Sequence, residues 1–166
     1  LGMPNVQFEV RIEPLRDFSE SGRDEITFLF SANKNQPLKP AGEVASGGEI
    51  SRLMLSIKAL IANAKTLPTI IFDEIDTGVS GDIADRMGQV MRQMSEHLQV
   101  VTITHLPQVA GKGDAHFKVY KEDSADETMT HIVRLEGDER VREIARMLSG
   151  AQITEQAIAN ARTLMA

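Results

Sequence analysis

Residues 69–105 read TIIFDEIDTGVSGDIADRMGQVMRQMSEHLQVVTITH. An apolar run at 69–72, too short for a helix, ends in Asp73-Glu74. A turn follows at 76–81. Residues 82–98 then carry Ile83, Met87, Val90, Met91 and Met94 at helical spacing, and 100–104 is a second apolar run ending at His105. Strand, helix and strand within about 35 residues make a crossover unit. A crossover of this kind requires a parallel sheet with two buried strands. The fold class is therefore α/β, and the strands are neighbours or near-neighbours because such connections are right-handed and short.

The flanks add elements of other kinds. Residues 6–12 alternate Val6, Phe8, Val10 and Ile12 with polar residues, which predicts a half-buried strand. A turn at 17–24 and a second strand at 25–32 complete an antiparallel hairpin, and 33–43, rich in Asn, Pro and Lys, reads as an exposed loop. Ser46-Gly47-Gly48-Glu49 then opens a helix whose apolar stripe is Ile50, Leu53, Met54, Ile57, Leu60, Ile61 and Ala64. After His105, residues 107–113 form a turn or helical piece. Strands at 115–121 and 128–135 flank an acidic tip at 122–127. A helix at 139–148 ends at Gly150, and Thr154 caps a last helix reaching about Leu164.

Composition limits the chemistry. The chain has 166 residues, 42% hydrophobic and 25% charged, enough for one domain with its own core. Its net charge of -6 gives no overall attraction for nucleic acid or acidic membranes. With no cysteine, disulfides, thiolate catalysis and cysteine zinc sites are excluded, which fits a reducing cytoplasm. No apolar run reaches membrane-spanning length. The opening Leu1-Gly2-Met3 reads as the start of a piece cut from a longer chain.

Three features carry candidate chemistry. Ser46 to Glu49 has the pattern of a capping box at a helix N-terminus, where free N–H groups and the helix dipole favour an anion, and two glycines let a ligand approach the backbone. Asp73 and Glu74 leave the carboxyl end of a parallel strand, the edge where α/β sheets gather ligands. One carboxylate there can hold Mg²⁺ and the next can orient or deprotonate a water, a pairing suited to phosphoanhydride hydrolysis. His105 leaves the neighbouring strand end and can contact a terminal phosphate. Each feature alone has a plain structural reading: a cap, a solvated turn, a structural histidine. All three in this order are a much rarer coincidence. The methionine stripe reads as core, Arg140, Arg142 and Arg146 as a solvated helix face, and the acidic tip as a hairpin end. Two other readings fit parts of the pattern. Asp73, Glu74 and Asp76 could form a metal-dependent nuclease or phosphotransfer site. The chain could also be a non-catalytic protein- or DNA-binding module.

The stretch from 46 to 110 resembles the ATP-binding-cassette ATPases. Ser46-Gly47-Gly48-Glu49 is similar to their signature motif, and Thr69-Ile70-Ile71-Phe72-Asp73-Glu74 to their Walker B strand. Residues 76–81 sit where their D-loop does, and His105 matches their switch histidine. The wording FDEIDTGVSG followed by ITHLPQVA more narrowly resembles the carboxy-terminal head segment of the RecN family of bacterial DNA repair proteins, relatives of the SMC ATPases.

The resemblance implies a P-loop-NTPase-like carboxy-terminal lobe, with parallel core strands, crossover helices and antiparallel hairpins. It implies ATP and Mg²⁺ as cofactors and a bacterial, nucleoid-associated cytoplasmic setting without membrane contact. Asp73 would support Mg²⁺, partly through water; Glu74 would activate water; His105 would contact the γ-phosphate. Ser46, Gly47, Gly48 and Glu49 would bind the γ-phosphate held by an opposing head, with Thr77, Gly78 and Ser80 as the D-loop beside it. Partners would be the protein's own amino-terminal head segment, a second head in an ATP-sandwich dimer, and DNA in the full-length protein. The chain departs from the pattern at Ala45, where leucine is common, and at Ser80, where SMC proteins usually carry aspartate. No Gly-x-x-x-x-Gly-Lys-Ser/Thr occurs, and Gly111-Lys112-Gly113 is not a phosphate loop. The isolated chain is therefore expected to be catalytically silent.

Overall fold

The computed structural model describes every residue except 45–46, 65–66 and 125–126, together with the side chains of 44, 63 and 64. The predicted crossover is present. Strand β4 (Thr69–Asp73) pairs in parallel with β5 (Gln99–Ile103), in register from Thr69↔Gln99 to Asp73↔Ile103. Between them runs helix α3 (Gly81–Ser95), which buries Ala84, Met87, Met91 and Met94. Helix α2 (Gly47–Ala64) precedes β4, and the short α4 (Pro107–Ala110) follows β5. Leu55, Ala62, Phe72, Met87, Met91, Met94 and Val109 form the core between these elements.

Only one face of the parallel pair is covered by described residues. Ile70 and Val100 pack on the core and Phe72 is buried within it, while Ile71, Val101 and Ile103 on the other face are exposed. Helix α2 shows the same incompleteness. Its expected stripe is only partly the buried side: Leu53 is buried, but Leu55, Ala59 and Ala62 pack on the core, while Met54, Leu60 and Ile61 are exposed, Leu60 by 69%. The helix is apolar on more than one side, so periodicity alone left its rotation open.

The amino-terminal hairpin is longer than its alternation suggests. Strand β1 (Gln7–Ser19) pairs antiparallel with β2 (Gly22–Ser31), so the predicted turn at 17–24 shrinks to residues 20–21. The strand tolerates Pro14 because β1 is the edge of the sheet β1-β2-β3, and the register shifts between Pro14 and Ser19. Phe8, Val10, Ile12, Ile26 and Phe28 do share one face, with Phe8 and Phe28 stacked at 6.1 Å, yet these five are exposed rather than half-buried, while Phe30, opposite Phe8, is buried. The expected loop at 33–43 contains strand β3 (Lys39–Pro40), paired with Leu29 and Phe30, and helix α1 (Ala41–Val44).

The carboxy-terminal part follows the sequence closely. Strands β6 (His116–Asp123) and β7 (Thr128–Leu135) form the second hairpin. Helix α5 (Gly137–Ser149) ends at Gly150, whose φ is 75° and whose N–H donates to the Arg146 carbonyl at 2.8 Å. Thr154 caps α6 (Glu155–Met165) by accepting from the Ala157 N–H at 3.1 Å. Ile144, Ala145, Ala157 and Ala161 pack these helices together. Arg142 and Arg146 are exposed as expected, but Arg140 is not on a solvated face. Its guanidinium donates to the carbonyls of Gly111, Gly113 and Asp114, pinning the segment after α4 to α5.

Beside Arg140, burial holds the pKa of His116 below its ordinary value of 6.5, and the Arg140 and Lys118 charges lower it further against an opposing pull from Glu143. A histidine that protonates less readily folded than unfolded costs stability as pH falls below about 6.5, and nothing above it. The urea midpoint should therefore drop between pH 7.5 and pH 5.5. His116→Gln should shrink that drop, and an unchanged drop would count against this residue as its source.

Candidate functional site

The carboxyl ends of β4 and β5 and the start of α2 meet at one place. Asp73, the last residue of β4, is exposed. Glu74 leaves the strand with φ of 47°, the one non-glycine residue among those described with positive φ. Its N–H still donates to the Ile103 carbonyl at 3.0 Å, extending the ladder to β5, while its exposed side chain is turned out by the left-handed backbone. A glutamate in this region is unfavourable by roughly 1–2 kcal/mol. Such strain concentrates at functional sites. Thr77 steadies the bend, its Oγ1 and N–H both donating to the Glu74 carbonyl at 2.9 and 3.2 Å.

The turn then touches the opening of α2. Gly78 has φ of 75°, and a Cβ built on Gly48 would lie 2.5 Å from the Gly78 carbonyl oxygen. Only glycine at 48 allows this backbone contact. Gly47 differs: a Cβ there meets nothing within 4 Å, so its space is open. The Arg52 Nε donates to the Gly48 carbonyl at 2.9 Å, and Ser51 Oγ to that of Gly47 at 2.9 Å. Ser46 and its expected capping bond lie outside the described residues; Glu49 is partly buried in the first turn of α2. Ser80 is the exposed, extended N-cap of α3 and makes no side-chain cap bond.

Beneath this surface lies a carboxylate that the sequence offered only as a third acidic residue beside Asp73 and Glu74. Asp76 is fully buried and accepts from the Thr104 hydroxyl, which in turn accepts from the Leu106 N–H at 3.0 Å. The other Asp76 oxygen, Oδ1, stands 3.7 Å from Nδ1 of His105, whose ring is 62% exposed. Asp76 is thus no member of a solvent-facing carboxylate trio with Asp73 and Glu74, as the nuclease reading required. Among the described residues no group of three or more His, Asp or Glu side chains could hold a metal by itself. One exposed carboxylate, Asp73, does suit Mg²⁺, which typically takes one or two protein carboxylates and completes its shell with water and phosphate oxygens. A turn aspartate and a buried one look alike in sequence.

No protein-family model matches the chain. Curated relatives do. DNA repair protein RecN of Vibrio cholerae is 43% identical over 99% of this chain, that of Haemophilus influenzae 42% and that of Halalkalibacterium halodurans 40%, each over 99% of the chain. This chain is RecN-like throughout. It spans about 30% of the length of those relatives. Solved structures give the fold of this RecN-like segment. The Smc head domain derived from Pyrococcus yayanosii superposes on 89% of the chain with a TM-score of 0.68 at 20% identity, covering 27% of that structure. A structure described for ATP-driven dimerization and DNA-stimulated activation of SMC ATPases matches 90% of the chain and 85% of its own length, with a TM-score of 0.61 at 18% identity. The RecN-like segment therefore has the mixed α/β architecture of an SMC-type ATPase head lobe. No helix among its described residues is long and apolar enough to cross a membrane.

Proposed function

We propose that this chain is the carboxy-terminal half of the ATPase head of a RecN-like DNA repair protein. The observation that carries the reading is the contact chain from Gly48 through the Gly78 turn to Glu74, Asp76 and His105. It draws the opening of α2 and the ends of both parallel strands into one surface. Asp73 would support Mg²⁺, partly through water, and bound Mg²⁺ neutralises charge on the phosphates. Glu74, turned outward by its backbone, would orient and deprotonate the attacking water. His105 would contact the γ-phosphate. Ser46, Gly47, Gly48 and Glu49 would present a helix N-terminus to the γ-phosphate of ATP held by an opposing head, with Thr77, Gly78 and Ser80 alongside.

A phosphate-gripping loop is missing from this sequence, so hydrolysis would require the amino-terminal half of the head. The uncovered face of β4–β5 and the exposed side of α2 support that second half, since parallel sheets are ordinarily buried on both faces. Paired heads closing on ATP and opening after hydrolysis would gate engagement of DNA in the cytoplasm.

Ser46→Arg tests the shared site. In the complete protein it should leave ATP binding by a single head within about two-fold and abolish ATP-dependent pairing, measured by light scattering. Pairing at the wild-type level would remove the signature role from this segment.

A further inference from the structure

Asp76 is the described site's buried acid, and its geometry is lopsided. Oδ2 is held by the Thr104 hydroxyl, while Oδ1 is buried without a hydrogen-bond partner and lies 3.7 Å from His105 Nδ1, just beyond bonding range. A fully buried carboxylate oxygen left unpartnered is costly, and a hydrogen bond from the His105 ring would remove that cost. Thr104 and His105 are consecutive, so the residue that fixes Asp76 also sets where the ring emerges from β5.

We propose that Asp76 is a positioning residue that orients His105, accepting from Nδ1–H and so fixing which ring nitrogen faces the reacting phosphate. The proposal rests on the reading of His105 as the γ-phosphate contact. The logic is that of a carboxylate behind an imidazole: the hydrogen bond at one ring nitrogen sets the tautomer and the ring plane at the other. With the proton held at Nδ1, Nε2 of the neutral ring points outward as an acceptor, free to take a hydrogen bond from a water at the phosphate. The plainer alternative is that Asp76 only ties the turn to β5, through its bond from Thr104 and the Val79 N–H that donates to its carbonyl at 3.1 Å.

Asp76→Asn separates the two. Asparagine fills the same volume and its oxygen can still accept from Thr104, which turns its amide N–H₂ toward His105. That donor opposes an Nδ1–H proton and drives the ring to the Nε2–H tautomer. In the complete protein, Asp76→Asn should lower the ATP turnover number about 10- to 100-fold. The Michaelis constant for ATP should stay within about three-fold. With His105 labelled with ¹⁵N, the ring spectrum should change from Nδ1–H to Nε2–H. The double variant with His105→Ala should be no slower than His105→Ala alone, because the two residues act as a unit. An unchanged tautomer, or losses that simply multiply in the double variant, would overturn the proposal and leave Asp76 as a turn tie. A wild-type protein that does not hydrolyse ATP would instead overturn the reading of the whole site, and the tautomer measurement would still decide the role of Asp76.

Discussion

With Glu74 replaced by glutamine, the complete protein should bind ATP and pair its heads normally, yet hydrolyse ATP about 10²- to 10⁴-fold more slowly, the range expected for loss of a positioned general base. Glutamine suits the test because of the backbone here. Glu74 sits at φ of 47°, and a glutamine carries the same Cβ into the same left-handed region. The strain, the 3.0 Å bond from its N–H to Ile103 and the bonds from Thr77 all remain, so lost turnover reports the carboxylate rather than a collapsed turn. ATP-bound pairs should accumulate if, as proposed, opening follows hydrolysis. Single-turnover hydrolysis and the fraction of paired heads are the two measurements. Wild-type turnover would take the role of base away from Glu74.

The two adjacent glycines should behave as opposites. Gly48→Ala places a methyl group 2.5 Å from the Gly78 carbonyl oxygen, where two backbones would have to separate. Overpacking of that kind costs about 1–3 kcal/mol. The urea midpoint should fall accordingly, and activity with it. Gly47→Ala meets nothing within 4 Å and lies in the first turn of α2. Its effect on stability should be neutral or favourable by up to about 1 kcal/mol, since alanine is the better helix former. If an opposing head's phosphate approaches that open backbone, the same methyl group should still weaken ATP-dependent pairing at least ten-fold. Equal stability losses at both positions would show that the glycine pair is a packing device only.

The parts of the fold that could be read from sequence were those where one local force dominates. The runs at 69–72 and 100–104 are apolar, short and bounded, so their parallel pairing followed. Met87, Met91 and Met94 lie at helical spacing and are buried. Gly150 and Thr154 act through local caps and stand where expected. What escaped was set by partners distant in sequence. Strand β3 is two residues long and exists because β2 offers it an edge. The rotation of α2 depends on which of its apolar sides meets β4 and α3. Arg140 turns from solvent to three carbonyls that lie 26 to 29 positions earlier in the chain. At the site, Glu74 and His105 stood out as polar residues closing apolar strands. Asp76 was legible only as a third acidic residue, because only the three-dimensional approach of Thr104 and His105 distinguishes it from a solvated turn aspartate.

The most direct test is ATP hydrolysis by this chain alone and by the same chain joined to an amino-terminal head segment carrying a phosphate-binding loop. The account predicts no turnover from the chain alone, and Mg²⁺-dependent turnover from the joined head that Glu74→Gln removes. Hydrolysis by the chain alone, or a joined head that binds ATP without ever hydrolysing it, would contradict the account.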